Sequence, residues 1–494
     1  MKKILIYVML VCVILVQTAC SDFLEEETRG KVFDNVLVTE NGLESALVGA
    51  YKGWSTCWSY GFSNGWATQM TLGGDDLTCP PGLGNDLEEY DCYAVKNTNT
   101  TTPMVYQGCY KAIQGANNVI VNADICTASK DVVDKIKGEA YFIRATSYFW
   151  LVRSFGAVPL ITDAVFTEEL LSVEPSPVKD IYTLIESDLN NAINLLDDTR
   201  RNGELGRPNK GVALGMLAEV YLAEAGWPLK ETTKYALAAS TAKQVLDGRI
   251  GYGFDFENSY DVLYWNNDAD TGNKEDMFTI PCNLNAGANS NAMYGFWAYP
   301  GEIGGWDVVF SEYTFYNEFP EGVRKEATFA TEFVTQNGIK YHYTELKNPH
   351  PYYKKLMKDE NGSNYYTSSS SVPMRMLRFT QTALTYAEAQ ARSGQPDKLA
   401  YECLNFIRTR AGLSTYAGLS AADFADKCVE ERAWELCGER VRWFDMVRLE
   451  MVAEVVAKKD PRDNQPLHVI TEKDYIFPIP QHDVLLNDNL NVGI

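Results

Sequence analysis

The sequence predicts a mainly α fold, in which a scaffold of helix pairs is interrupted by a large irregular, loop-rich insertion. Two observations predict the scaffold: apolar residues recur three or four positions apart in long stretches, and small residues are frequent where paired helices would cross. A third predicts the insertion: between residues 249 and 371 this spacing fades, and Tyr, Trp, Asn and Gly dominate. Long loops on a rigid scaffold usually carry function, so we expect the ligand-binding residues there.

The first nineteen residues form a predicted signal peptide. Lys2 and Lys3 precede an apolar run over residues 4–16, which is shorter than the roughly 20 residues that a membrane-spanning helix needs. Ala19 then stands directly before Cys20, as in bacterial lipoproteins, whose cysteine is diacylated and becomes the N-terminus. The alternative is ordinary secretory cleavage beside an incidental cysteine. We predict lipidation at Cys20 and one domain over residues 20–494.

Charge and cysteine content exclude several classes of partner. Loss of Lys2 and Lys3 with the leader changes the formal charge from −22 to −24, because 42 basic residues then face 66 acidic ones. Such a surface repels nucleic acid and anionic lipid headgroups, so the lipid anchor is the only membrane contact we expect. The cysteines show no CxxC spacing, and we predict neither a metal site nor a cofactor. A disulfide within one group stays open: Cys57, Cys79, Cys92 and Cys109.

The helical scaffold is predicted over about residues 38–248 and 372–457. In the stretch 131–156 one apolar stripe is followed by the stop signals Gly156 and Pro159. Two further stretches, 206–248 and 382–412, each divide into two helices around a break. Small residues at the crossings and a repeat near 34 residues are typical of tetratricopeptide-like helix pairs.

The insertion, about residues 249–371, contains the aromatic stretch MYGFWAYPGEIGGW at 293–306. Its glycines and proline oppose a helix, so its rings can be presented to solvent. The C–H face of a pyranose is apolar, and indole or phenol rings can cover it while carboxylates meet its hydroxyl groups. We predict ring contacts from Trp297, Tyr299 and Trp306, with Glu302 and Asp307 as acceptors. The alternative is that some of these rings pack onto the helical core.

Two other motifs have competing interpretations. The charged cluster GERVRWFDMVR at 438–448 is interpreted as a structural ion-pair network, because charges three or four apart meet on a helix. The pentapeptide GFSNG at 61–65 matches a nucleophile elbow, which His468 or His482 could complete. That motif requires a preceding buried strand and an α/β sheet, which this sequence does not predict, so we expect no enzyme activity.

Several stretches, in order along nearly the whole chain, resemble the SusD/RagB family of Bacteroidetes outer-membrane lipoproteins. They are CSDFLEEE (20–27), GEAYFIRATSYFWLVRSFGAVPLI (138–161), GRPNKGVALGMLAEVYLAEA (206–225), LTYAEAQARSG (384–394), ERAWELCGERVRWFDMVRL (431–449) and FPIPQHDVLLNDNL (477–490).

The resemblance implies a cell-surface lipoprotein that binds oligosaccharides and acts as the lid of a SusC-like TonB-dependent outer-membrane transporter. It also implies that a loop after the first helices, here about residues 73–110, completes the site. The candidates there are Asp75, Asp76, Asn97, Asn99 and Tyr106, and Asp75 and Asp76 could instead be turn or helix caps. Three alternatives remain: a peptide-capturing member of the family, a hydrolytic surface enzyme, and a tetratricopeptide adaptor that binds other proteins.

Overall fold

The computed structural model describes residues 36–57, 66–83, 86–165, 167–265, 272–281, 299–335, 337–357 and 373–490. Helices dominate these residues and the strands are short, so the predicted mainly α fold is confirmed.

The helices of the described residues fall in two blocks with a few short helices between them. The N-terminal block contains α1 (Glu40–Thr56), α2 (Trp66–Gln69), α3 (Asp86–Asp91), α4 (Thr102–Asn122), α5 (Lys130–Phe155), α6 (Val178–Leu195), α7 (Lys210–Glu224) and α8 (Lys234–Tyr252). The helices between the blocks are α9 (Tyr260–Tyr264), α10 (Tyr313–Glu318) and α11 (Val323–Thr328). The C-terminal block contains α12 (Phe379–Ser393), α13 (Lys398–Arg410), α14 (Ala421–Glu435), α15 (Arg442–Arg448), α16 (Val452–Val456) and α17 (Gln481–Leu486).

Helix α5 shows how local signals set these elements. The Ser129 side chain accepts a hydrogen bond from the Val132 amide at its start, and the chain turns at Gly156, with φ of 69°. The predicted apolar stripe is buried, but most other residues from Gly138 onward are buried too, because α5 contacts α4 on one side and α6 on another. Its second half is therefore a central helix of the scaffold.

Most of the long helices pack against the next long helix along the chain. Helix α7 packs on α8, α12 on α13, and α8 joins the two blocks by packing on α12. The two predicted helix pairs therefore form one continuous array with a shared apolar core.

Six strands of the described residues form three antiparallel pairs between and beside the blocks. They are β1 (Asp276–Ile280), β2 (Phe329–Ala330), β3 (Glu332–Val334), β4 (Lys340–His342), β5 (Tyr352–Tyr353) and β6 (Met374–Arg378), paired β1–β6, β2–β5 and β3–β4. In the first pair Ile280 lies opposite Met374, so the intervening chain leaves and re-enters the scaffold at one place.

The charged cluster at 438–448 is part of a buried ion-pair network, as expected. Asp445 pairs with Arg432 at 2.9 Å and with Arg448 at 2.8 Å, and Arg448 also pairs with Glu388 at 2.7 Å. Paired buried charges specify how helices align, since breaking one pair leaves an uncompensated charge.

Candidate functional site

Residues 299–307 form a closed loop whose backbone is bonded to itself. The Gly305 amide donates to the Pro300 carbonyl at 2.9 Å, and the Asp307 amide donates to the Tyr299 carbonyl at 3.2 Å. A Cβ atom at Gly305 would overlap the Tyr299 carbonyl oxygen, so this close approach requires glycine. The loop therefore has one well-defined backbone path.

The two aromatic residues of this loop differ sharply in exposure. The Trp306 side chain is 50% exposed, whereas Tyr299 is 2% exposed and belongs to the apolar core. A half-exposed indole on a fixed backbone is a flat, partly polar surface, which suits stacking against a ligand ring. Tyr299 thus matches the alternative that some of the predicted rings pack onto the core.

Two carboxylates fasten the loop to the chain that follows it. The Tyr352 hydroxyl donates to Asp307, and the Lys347 amide donates to Glu302 at 2.7 Å. Asp307 is largely buried, and burial raises the pKa of its carboxyl above the usual range, opposed by the Tyr352 hydroxyl. Both predicted acceptors therefore already serve as anchors, with Asp307 in a left-handed conformation at φ of 55°.

The structure brings this loop and the second predicted segment together. Thr78 and Phe310 form an antiparallel bridge, with amide-to-carbonyl distances of 2.9 and 3.1 Å. In an antiparallel pair, the chain after Thr78 runs beside the chain before Phe310. The exposed residues 81–83 and the exposed Trp306 therefore leave the bridge toward the same end.

A buried carboxylate holds the second segment in place. Asp91 accepts from the Thr78 hydroxyl at 2.7 Å and from the Cys79 amide at 3.1 Å. Lys459 neutralises it at 2.5 Å. The two halves of the candidate site are thus fixed to each other and to the C-terminal block.

Asp75 and Asp76 both point into the protein. Asp75 makes a two-pronged ion pair with Arg442 at 2.6 and 2.9 Å. Asp76 is 1% exposed and accepts from the Gly438 amide at 2.7 Å, and burial raises the pKa of its carboxyl to about 7. Both contacts are structural, but they join distant parts of the chain and are not the turn or helix caps that the sequence suggested. A ligand role for the two residues stays an untested prediction.

The predicted loop 73–110 ends earlier than expected, because α4 begins at Thr102 with Pro103 in its first turn. Tyr106 consequently lies on a helix, where its buried ring packs between Tyr110 and Phe155. Asn99 is also buried and caps this helix start by accepting from the Thr101 amide at 2.9 Å.

Asn97 is exposed, and its carbonyl accepts from the Gln481 amide at 2.8 Å. It borders a groove of about 1010 Å³ between the C-terminal segment and the scaffold, with Trp227, Trp443 and Phe477 among its lining residues. The sequence did not predict this groove, because the segments that form it are far apart along the chain. Trp297, Cys20 and the GFSNG motif lie outside the described residues.

None of the helices in the described part of the chain is long and apolar enough to cross a membrane. Within the same residues, no group of three or more His, Cys, Asp or Glu side chains is arranged to hold a metal ion.

Solved structures of similar fold cover most of the chain. A SusD superfamily protein from Parabacteroides distasonis superposes with a TM-score of 0.78 at 24% identity, over 91% of this chain and 98% of that one. A structure with xylogluco-oligosaccharide has a TM-score of 0.73 at 21% identity, over 91% and 98% of the two chains. A laminarin-binding SusD-like protein has a TM-score of 0.74 at 22% identity, over 90% and 97%.

Sequence comparisons identify the same group. The SusD-like protein P2 of Formosa agariphila is 26% identical over 97% of both chains, and a SusD-like protein of Bacteroides ovatus is 26% identical over 87% of this chain and 79% of that protein. Residues 22–222 match the family model described as starch-binding associating with outer membrane, and residues 305–492 match that of the SusD family. Together these two models match most of the sequence, and the chain belongs to the SusD/RagB family.

Proposed function

We propose that this protein captures an oligosaccharide on a platform formed by Trp306 and the exposed residues 81–83, whose segments the Thr78–Phe310 bridge joins. One observation carries the proposal: a half-exposed indole stands on a loop that is fastened through Glu302 and Asp307. Two findings support this ligand class: the family model that matches residues 22–222 is described as starch-binding, and two structures of similar fold are described with xylogluco-oligosaccharide and as laminarin-binding. The ligand is bound and released without a chemical change.

The same proposal extends to transport. The protein is lipid-anchored through Cys20 at the outer-membrane surface and delivers its ligand to a SusC-like TonB-dependent transporter, for which it acts as the lid. The leader pattern and the family support this assignment. Affinity in an open site is expected to be modest, because stacking and solvated hydroxyl groups leave little net free energy after ordering costs.

The first test is binding of the mature chain to a mixed array of oligosaccharides and peptides, followed by product analysis of each bound ligand. We expect glycan binding with the ligand recovered intact. Peptide binding alone would move the protein to the peptide-capturing alternative, and cleavage of the ligand would make it a hydrolytic enzyme.

The second test locates the site. Trp306→Ala should weaken glycan binding about tenfold, since an aromatic stacking contact contributes about 1 kcal/mol or more. Trp227→Ala is the matched control, because Trp227 lines the separate groove beside Asn97. If both variants fold and bind as the parent does, the platform is not the binding site. Co-purification with a TonB-dependent transporter from solubilised outer membranes tests delivery, which an adaptor for other proteins would not show.

A further inference from the structure

The platform lies on two chain segments, residues 66–95 and 299–320. These segments carry many acidic residues and no lysine or arginine. Together they hold ten carboxylates: Asp75, Asp76, Asp86, Glu88, Glu89, Asp91, Glu302, Asp307, Glu312 and Glu318. Several of these serve the interior of the protein, as Asp75, Asp76 and Asp91 do, so their charge is offset locally.

Three carboxylates belong to the stretches of chain that carry the exposed indole and residues 81–83. Glu302 belongs to the same closed loop as Trp306, and Asp307 follows Trp306 directly. Glu88 accepts from the Gly82 amide at 2.9 Å, and Gly82 leaves the Thr78–Phe310 bridge toward the same end as Trp306. Asp307 is buried, so the partly exposed Glu302 and Glu88 are the carboxylates through which the two segments would present negative charge to a ligand on the indole.

The cations that contact these segments most directly are already paired with them. Arg442 is held by Asp75 at 2.6 Å. Lys459 lies between Asp91 at 2.5 Å and Glu312 at 2.8 Å. These two side chains therefore neutralise interior carboxylates and not those beside the indole.

Three further cations lie at the margins of the segments. Lys96 pairs with Glu89 at 2.8 Å. The Arg462 guanidinium lies over the Tyr313 ring, 3.5 Å from its centroid, and pairs with Asp460 at 2.8 Å. Lys347 reaches the loop through its amide, which donates to Glu302, and its single ammonium group can offset at most one of the carboxylates near the platform.

We infer that the platform selects saccharides that carry no carboxylate or sulfate group, an inference that rests on the proposed function. Like charges repel over distances comparable to the Debye length, which is about 8 Å at physiological salt. A uronate or sulfate on the stacked sugar would meet this repulsion, and the nearby cations just described are largely committed to other carboxylates. An uncharged sugar loses nothing, because its hydroxyl groups can donate to carboxylate oxygens.

The test compares matched pairs of ligands. Neutral hexasaccharides of glucose, mannose and galactose are screened, and each one that binds is oxidised at its primary hydroxyl groups to the uronate form. Calorimetry should show the uronate form binding about tenfold more weakly at low salt, with a smaller ratio at about 0.5 M NaCl. The double variant Glu88→Gln/Glu302→Gln should reduce the same ratio, since it removes two charges while leaving amide oxygens as acceptors.

The outcomes separate this inference from the proposed function. If the uronate form binds as tightly as the neutral form and Trp306→Ala weakens the binding of both, the platform stands and the charge selection is overturned. The charge selection would also be overturned if neither salt nor the double variant changed the ratio of neutral to uronate affinity, because the discrimination would then come from ligand shape. If no glycan of either class binds, the proposed function itself fails.

Discussion

Removing the Tyr352 hydroxyl should loosen the platform without touching it. Tyr352 is fully buried in β5, and its hydroxyl donates to the Asp307 carboxylate and to the Asn348 carbonyl, the latter at 3.2 Å. In Tyr352→Phe the ring still fills its site, but the carboxylate loses a donor in surroundings where water is scarce. A hydrogen bond to a charged group contributes about 1.5–3 kcal/mol, so we expect a stability loss of that size.

The next residue provides a matched control. Tyr353 is equally buried, and its hydroxyl donates to the backbone carbonyl of Asp76. Tyr353→Phe should cost about 0.5–1.5 kcal/mol, because the acceptor is neutral. Its bond holds the 66–95 segment and not the 299–307 loop, so glycan affinity should fall less in this variant than in Tyr352→Phe.

Urea unfolding and glycan calorimetry measure the two effects together. We expect Tyr352→Phe to lower glycan affinity several-fold more than Tyr353→Phe, because only the former frees the loop that carries Trp306. The stability loss should shrink at low pH, since the Tyr352 hydroxyl lowers the pKa of Asp307 by favouring its charged form, and protonation removes that preference. If both variants bind glycan equally well while losing stability as expected, the bond between Tyr352 and Asp307 does not position the platform.

Three further outcomes follow from buried groups. Glu435→Gln should destabilise the fold by about 3–5 kcal/mol in urea unfolding, because Glu435 is fully buried and pairs with three arginines, including Arg410 at 2.9 Å. Despite burial, these cations lower the pKa of Glu435 to about 2, so its contribution to the unfolding free energy should be lost as pH falls from about 4.5 toward 2. If parent and variant lose stability in parallel over this pH range, the prediction is wrong. Burial raises the pKa of Asp76 to about 7, so the parent should lose stability as pH rises while Asp76→Asn should not. The difference in unfolding free energy between variant and parent should therefore shift in favour of the variant by about 4 kcal/mol from about pH 4 to pH 8. A difference that does not change with pH would contradict this. Gly305→Ala should displace the platform loop and weaken glycan binding with little change in helix content by circular dichroism, and normal binding would show that the loop tolerates a Cβ.

Much of the fold could be predicted because its signals are local. The break predicted within residues 382–412 falls at residues 394–397, between α12 and α13, where the Asp397 side chain accepts from the Ala400 amide at 2.8 Å. Such caps and apolar spacings act within a few residues, so one sequence reveals them.

The candidate site could be predicted only in part, because tertiary contacts decide which side chains face solvent. Tyr299 and Trp306 lie in one loop, yet the turn at Gly304 and Gly305 buries the first and exposes the second. The hydrogen bond between Tyr352 and Asp307 joins residues 45 positions apart and depends on how β5 pairs with β2. No periodicity in the sequence reports such a contact.

The buried charges explain how an irregular region can present a ligand surface reproducibly. Strands β1 and β6 bring the ends of the intervening chain together, and Arg378 at the end of β6 pairs with Glu275 at 2.7 Å and Glu439 at 2.7 Å. Glu275 also pairs with Arg410 of α13, so the same network spans the strand pair and the C-terminal block. Because each member would be costly to bury alone, the network favours one arrangement of these elements over alternatives of similar apolar burial. The Gly438 amide, beside Glu439, donates to Asp76 and so holds the second platform segment. The position of the ligand surface therefore depends on the buried ion-pair network.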